Sequence, residues 1–486
     1  MNEIQSFAAV VLVVSAGGLA AVLSSRLSER LRIPAPAIFL LCAAVASDVW
    51  PALARISVGT VEQVVTVALA VILFDGGMHI GWRRLRGAVA ATVWIGVLGT
   101  LATAAAVAAI AHGVFHLDWR VALLLGTAIA PTDPAVVFSV LGRREIVGRS
   151  GTLLEGESGA NDPVGIALLV SILTAQGHGG EVVAIVAWEF TLQMVVGAAV
   201  GVLGAVGMLW LMRRVPLPSG PLYPLRVLAG ALAIYGAATL LHGSGFLAVF
   251  IAGIMLGDAR APYKRDIERF HSSLASLAEI VAFVLLGLTI HLHALTRSGA
   301  LWTGLAIAVL LAFVIRPVVV GLLLIPVKLS RGERLLIVWG GLKGAVPILL
   351  GAFILSAHAP SADLLYQLIF GVVAFSVIVQ GGLLPFVAHR LGVPLRVVEP
   401  EPWSLGVRLR HEPRGVNRFL VEAGSPVDGL DLSDLPWGEE AWVSLVIRDG
   451  RLVPPGSGTA LQAGDEVLII VDPADGPDLS RMFARP

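Results

Sequence analysis

Cysteine is almost absent from this 486-residue chain: Cys42 stands alone, which excludes an intramolecular disulfide, a CxxC redox pair and a cysteine-based zinc site. Charge is scarce as well. Asp, Glu, Lys and Arg make up 14% of the residues, against about 25% in ordinary soluble domains, while 56% are hydrophobic and the mean hydropathy is +0.85. A soluble globular protein is excluded, and a polytopic membrane protein with lipid as its first partner is expected. Basic and acidic residues balance, 34 against 34, so the basic excess that accompanies a nucleic-acid partner is missing too. Histidine offers one close pair, His112 and His116, with no carboxylate or cysteine beside it, which reads as interfacial side chains rather than a metal site. Residues Met1 to Ser6 lack the basic n-region of a signal peptide, and the apolar run after them continues to Leu23, so a retained first crossing is expected. No cofactor and no enzymatic activity are expected.

What the chain does have is apolar runs. Candidate crossings fall at about 7–23, 33–49, 60–76, 87–111, 119–141, 150–175, 182–212, 224–242, 244–257, 274–292, 299–327, 333–357 and 362–388, thirteen in all. Charge placement tests that count. Connections after odd-numbered crossings carry Arg26, Arg30 and Arg32, then Arg83, Arg84 and Arg86, and further basic groups up to Lys328, Arg331 and Arg334; those after even-numbered ones carry only Arg55, Arg120 and Arg297. This alternation follows the positive-inside rule and places the N-terminus outside and the C-terminus in the cytoplasm. The boundary at His242 to Gly245 is the least certain, since one kinked helix would also fit it. Residues 1–392 are read as an all-α transmembrane domain, 393–413 as a Pro-rich linker, and 414–486 as a small cytoplasmic α+β domain with strands near 418–422, 442–447 and 466–471, a turn at Asp449-Gly450 and a short helix at 430–435.

Two acidic stretches interrupt the apolar pattern. Thr132-Asp133-Pro134 lies in the fifth crossing and Glu157-Ser158-Gly159-Ala160-Asn161-Asp162-Pro163 in the sixth. A carboxylate at mid-membrane costs roughly 2.5–3.5 kcal/mol, so three of them in consecutive crossings call for a functional role, and a cation site is the expectation. Glu157 and Asn161, like Ser158 and Asp162, are four residues apart and share one helical face. Pro134 tends to free the carbonyl of Ala130 inside a helix, and freed carbonyls are oxygen ligands. The plainer reading makes Pro134 and Pro163 ordinary kinks beside buried, satisfied acids. A second broken helix is expected at Gly340-Gly341-Leu342-Lys343-Gly344-Ala345-Val346-Pro347 in the twelfth crossing. The fifth and twelfth crossings run in opposite directions, which fits an inverted repeat with two interrupted helices meeting near the midplane. Lys343 either supplies positive charge to that site or snorkels to the surface. Arg316 sits deep in an apolar run and needs a carboxylate, for which Glu157 is the first choice, as a structural ion pair. Asp75 faces the site or marks a helix end; Glu279 reads as an interfacial or pairing residue, and Asp258 as an edge residue.

Thr-Asp-Pro, then Glu-Ser-x-x-Asn-Asp, then Gly-Leu-Lys-Gly-Ala together resemble the monovalent cation/proton antiporters, the group that includes sodium/proton exchangers. Small residues at 159 and 160 are more similar to the bacterial potassium/proton branch. The tail, with Gly424-Ser425, Ile447 to Gly450, Pro454 and Gly464-Asp465, resembles the ligand-sensing RCK C-terminal-type domain of potassium-transport regulators. The resemblance implies Asp162 as the ion- and proton-carrying acid, Asp133, Thr132 and Ser158 as co-ligands with Asn161 adjacent, a homodimer in a bacterial inner membrane, and a small ligand, such as a nucleotide, on the tail. Lys343 departs from the family's usual arginine, and Asp75 stands where a glutamate is common.

Exchange also follows from the residues. A proton and a monovalent cation compete for one carboxylate, and either one neutralises it enough for the site to pass through the apolar barrier. Position 161 is a neutral Asn, so one-for-one, electroneutral exchange is expected, and all-oxygen ligands suit potassium or sodium. A ligand-gated cation channel and an intramembrane hydrolase using Asp133 and Asp162 are the competing classes.

Overall fold

The computed structural model describes residues 34–50, 56–133, 136–137, 141, 144–146, 149–175, 180–259, 261–290, 292–297, 299–393, 395–397, 416–435, 441–454, 458–471 and 479–484. The chain divides into two compact units, 1–398 and 399–486. The expected crossing at 7–23, the kink at Pro134 and most of the linker lie outside the described residues.

Apolar sequence that must satisfy its own backbone without water forms helices, and helices build the first unit. In chain order they are α1 (Ala35–Val49), α2 (Val58–Leu85), α3 (Val89–Gly113), α4 (Trp119–Ile129), α5 (Arg149–Thr174), α6 (Gly180–Arg214), α7 (Leu222–Leu240), α8 (Gly245–Gly257), α9 (Lys264–Leu288), α10 (Ala300–Leu323), α11 (Arg331–Trp339), α12 (Ala345–Ser356) and α13 (Ala362–Arg390). Seven of them are long and apolar enough to cross a membrane. The first half of α5 is instead polar, with Glu155, Glu157, Ser158, Asn161 and Asp162.

Several boundaries differ from the sequence expectation. Helix α2 runs past Asp75 to Leu85, so Asp75 lies within the helix; Gly81, at φ +63°, bends the last turn, whose Arg83 amide donates to Asp258 2.5 Å away. Helix α9 begins ten residues early because its first turns are amphipathic rather than apolar. Helices α7 and α8 are separate: His242 takes φ +60°, and the Ser244 side chain caps Leu247, which rules out one kinked helix. The fifth crossing is not one helix over 119–141, since α4 stops at Ile129 and the chain is non-helical at 131–133.

The interior of three long helices departs from α geometry. π-helical segments occupy Trp94–Gly99 in α3, Leu311–Ile315 in α10 and Ser376–Gly381 in α13. Helices α3 and α10 are the fourth and eleventh crossings, seven apart like the two interrupted ones, whereas the π segment of α13, the thirteenth crossing, has no counterpart in α5, the sixth.

Two short strands follow from loops. β1 (Arg144–Ile146), between α4 and α5, pairs antiparallel with β2 (Leu395–Val397), so the first residues of the expected linker are a strand. The second unit holds β3 (Val416–Leu420), β4 (Ala441–Arg448), β5 (Arg451–Val453) and β6 (Glu466–Val471) in an antiparallel sheet of order β3-β6-β4-β5. Asp449 and Gly450, both at positive φ, make the tight turn between β4 and β5 that an Asp-Gly pair favours. The expected short helix is a single 3-10 turn, Leu432–Asp434. Val421, Val446, Leu461, Val467, Ile469 and Phe483 form this unit's core.

Candidate functional site

Two interrupted helices cross at the centre of the first unit. The Asp133 amide, just past the end of α4, donates to the Leu342 carbonyl between α11 and α12, at 2.8 Å. The Lys343 ammonium donates to the carbonyls of Ala130 at 2.8 Å and Pro131 at 3.0 Å, and the residue is fully buried. A helix C-terminus carries partial negative charge, so a cation there is favourable. This rules out snorkelling and explains how a membrane-depth break keeps its carbonyls satisfied. At the other half-helix the relation is reversed. Gly344 caps α12, and a Cβ there would fall inside the Asp133 carboxylate, so only glycine lets that carboxylate approach the positive N-terminal end of α12. Each break therefore receives the charge it needs from the other.

Helix α5 closes the crossing from the side. The Asn161 amide accepts from the Thr132 N–H at 3.3 Å and donates to the Thr132 hydroxyl at 2.7 Å, while the Ser158 hydroxyl donates to the Thr132 carbonyl. Thr132, Ser158, Asn161 and Asp162 are all buried. Asp162 lies one residue beyond Asn161 and within electrostatic reach of both Asp133 and Lys343; its Oδ1 atom has no hydrogen-bond partner among the described residues. The Thr132 and Ser158 hydroxyls and the Asp133 and Asp162 carboxylates thus come together from the break and α5, a set of hard oxygen ligands.

Behind this face lies a buried ion pair. Arg316 follows the π segment of α10, and its Nη2 donates to Glu157 Oε1 at 2.8 Å. Its Nε and Nη2 also donate to the carbonyls of Val338 and Ile337, the last turn of α11. A Cβ on Gly341 would overlap the Arg316 guanidinium, so this glycine is the space the arginine occupies.

The structure does not bring Asp75 into this cluster. Its carboxylate accepts from Ser272 at 3.2 Å and pairs with His79 at 3.3 Å, on the α2–α9 side. Glu279, read from sequence as interfacial or pairing, has its Oε1 atom shut off from solvent with no hydrogen-bond partner among the described residues. His112 bonds the Leu117 carbonyl and stacks on Trp119. Among the described residues no group of three His, Cys, Asp or Glu is placed to hold a metal ion.

A support that sequence reasoning missed sits in α13. Ser376 accepts the Lys343 amide at 2.9 Å and donates to Gln380, whose amide donates to the Trp339 carbonyl. The signal was available: a Ser and a Gln four residues apart inside the apolar second half of the crossing.

Residues 18–390 match the family described as sodium/hydrogen exchanger, transmembrane, and residues 416–484 match the TrkA-C domain. The chain is 32% identical over 481 residues to the K(+)/H(+) antiporter NhaP of Alkalimonas amylolytica, covering 98% of this chain and 83% of that protein. It is equally similar, 32% over 483 residues, to the K(+)/H(+) antiporter NhaP2 of Shewanella sp. (strain MR-4), covering 96% and 81%. The sodium proton antiporter MjNhaP1 from Methanocaldococcus jannaschii, solved at pH 8, is similar in structure with a TM-score of 0.64 and 25% identity, covering 76% of this chain and 99% of that one. The chain therefore belongs to the sodium/hydrogen exchanger transmembrane family, a family of transporters rather than enzymes, and carries a TrkA-C domain behind its membrane part.

Proposed function

We propose that this chain exchanges potassium for protons, one for one, with Asp162 as the acid that carries either ion. The observation that carries this reading is the buried Asp162 carboxylate, whose Oδ1 has no hydrogen-bond partner among the described residues, set beside two interrupted helices in a chain similar over nearly its whole length to potassium/proton antiporters. Asp133, Thr132 and Ser158 serve as co-ligands. Asn161, already engaged at both ends with Thr132, stays neutral, and this supports an electroneutral cycle. Glu157 and Arg316 hold the fold behind the site, and Lys343 holds the crossing. Net transport expels cytoplasmic potassium against proton entry.

Sodium is the second reading, favoured by the structural similarity to a sodium proton antiporter. Proton flux in proteoliposomes, followed with a pH dye on addition of potassium, sodium and then lithium, decides between them. Asp162→Asn abolishes proton coupling in either case; cation-driven proton movement surviving that substitution overturns the exchange reading and favours a channel. Flux that scales with imposed voltage overturns electroneutrality.

Basic residues between crossings support a C-terminus in the cytoplasm of a bacterial inner membrane. A homodimer, with a nucleotide-like ligand on the TrkA-C domain, completes the reading. Thermal shift of the full chain on adding nucleotides, and its mass in detergent by light scattering, test these two points.

A further inference from the structure

A cavity of about 1040 Å³ opens between the first turns of α2 and the turn joining α12 to α13. Glu62 and Asp363 give it two carboxylates, His358 lines it from the turn, and the space is large enough for a cation with its hydration shell. Helix α9 is tied to the same end of the molecule, because the Thr289 hydroxyl that follows it is hydrogen-bonded to the Tyr366 hydroxyl in the first turns of α13. Helix α9 also packs against α2 and α12, the two elements that flank the cavity.

Helical rise then places Glu279. Ten residues back from Thr289 is about 15 Å along the axis, and the way from Ser356 back to Gly344, where the Asp133 carboxylate lies, is about 18 Å. Glu279 therefore stands close to the depth of Asp133, and it interacts electrostatically with Asp133. Around it α9 presents the small or apolar buried residues Ala275, Ala278, Ala282 and Phe283. A carboxylate oxygen such as Glu279 Oε1, shut off from solvent and without a donor among the described residues, is destabilising unless something positive visits it.

We propose that Glu279 is a ligand for the transported monovalent cation on its way between this cavity and the Asp133–Asp162 pair. The proposal rests on the exchange reading above. It assigns Glu279 to one half of the path, so its effect is sided, whereas a purely structural acid affects both faces alike.

The test uses full-length protein in proteoliposomes of known orientation, with potassium or sodium added to one face at a time. For Glu279→Gln the half-saturating cation concentration rises about tenfold when the cation enters from the cavity face, and by less than about twofold from the other. Glu279→Asp keeps the charge but withdraws it by one methylene, and gives a smaller shift with the same sidedness. It serves as the readout if the glutamine variant does not fold. Equal shifts at both faces, or no shift at either, overturn the proposal. Asp162→Asn in the same vesicles keeps the two questions apart: proton coupling retained there overturns the exchange reading, whatever Glu279→Gln does.

Discussion

The Lys343 ammonium lies 2.8 Å from the carbonyl oxygen of Ala130, a residue 213 positions earlier in the chain, and joins the end of one interrupted helix to the break in the other. Replacing it by methionine leaves the Ala130 and Pro131 carbonyls buried without a donor. Each charge-assisted hydrogen bond lost is worth about 1.5–3 kcal/mol, so Lys343→Met lowers the thermal unfolding midpoint in detergent by many degrees and reduces yield from the membrane. A variant as stable as the parent would show that the carbonyls find other donors.

Glu157→Gln strands the Arg316 guanidinium in the interior. Breaking a buried pair from one side costs about 3–5 kcal/mol, whereas exchanging both charges for apolar groups of similar size is often neutral. Glu157→Gln alone is therefore expected to be strongly destabilised, and the double variant Glu157→Leu, Arg316→Met to recover most of the loss. Thermal melts of Glu157→Leu, Arg316→Met and the double give the coupling; additive effects would contradict a paired role.

Gly344→Ala places a methyl where the Asp133 carboxylate now lies. The carboxylate must move by an ångström or more, and displacements of that size at a working site cost about a hundredfold in rate. Proton flux is expected to collapse in this variant while the protein stays monodisperse on size exclusion. Near-normal flux would mean that the Asp133 position is not critical.

In the second unit, Arg448 Nε and Nη2 each donate to one oxygen of Asp465 at 2.8 Å, and the Gln462 amide adds a third bond. The arginine holds the Asp465 carboxyl below the ordinary carboxylate range. A depressed folded value means that the pair stabilises the domain fully above the unfolded value near 3.9, and that this contribution is lost as pH falls through the folded value. In the full chain, protease cleavage within the tail in urea should separate parent from Asp465→Asn by a constant margin above about pH 5. The margin should shrink below about pH 4. A margin that grows on acidification would reverse the assignment.

How much of this was legible differs residue by residue. The break at 340–344 was readable because glycine and proline announce it locally, and the β4–β5 turn was readable from Asp449-Gly450 for the same reason. Arg316 with Glu157 was readable because a deep charge has few places to go. Lys343 stayed ambiguous, since its partners are backbone carbonyls of another helix and leave no trace in side-chain pattern. The helix-end reading of Asp75 failed because the cluster Arg83, Arg84, Arg86 looks like a loop soon after it, whereas the helix persists to Leu85. The π segments left no signal, because an extra residue in a uniformly apolar turn does not alter hydropathy. β2 was hidden in what composition alone marks as linker.

The reciprocal capping of the two breaks has a mechanical meaning. Lys343 holds α4 and Asp133 sits against α12, so neither half-helix can slide along the other without exposing buried charge and carbonyls to hydrocarbon. The crossing behaves as a welded joint, with Thr132 pinned to α5 by Asn161 and Ser158 as its third arm. Motion that carries an ion from one side to the other must therefore take the whole joint with it, and the slip plane has to run through the plainer helix faces that surround it.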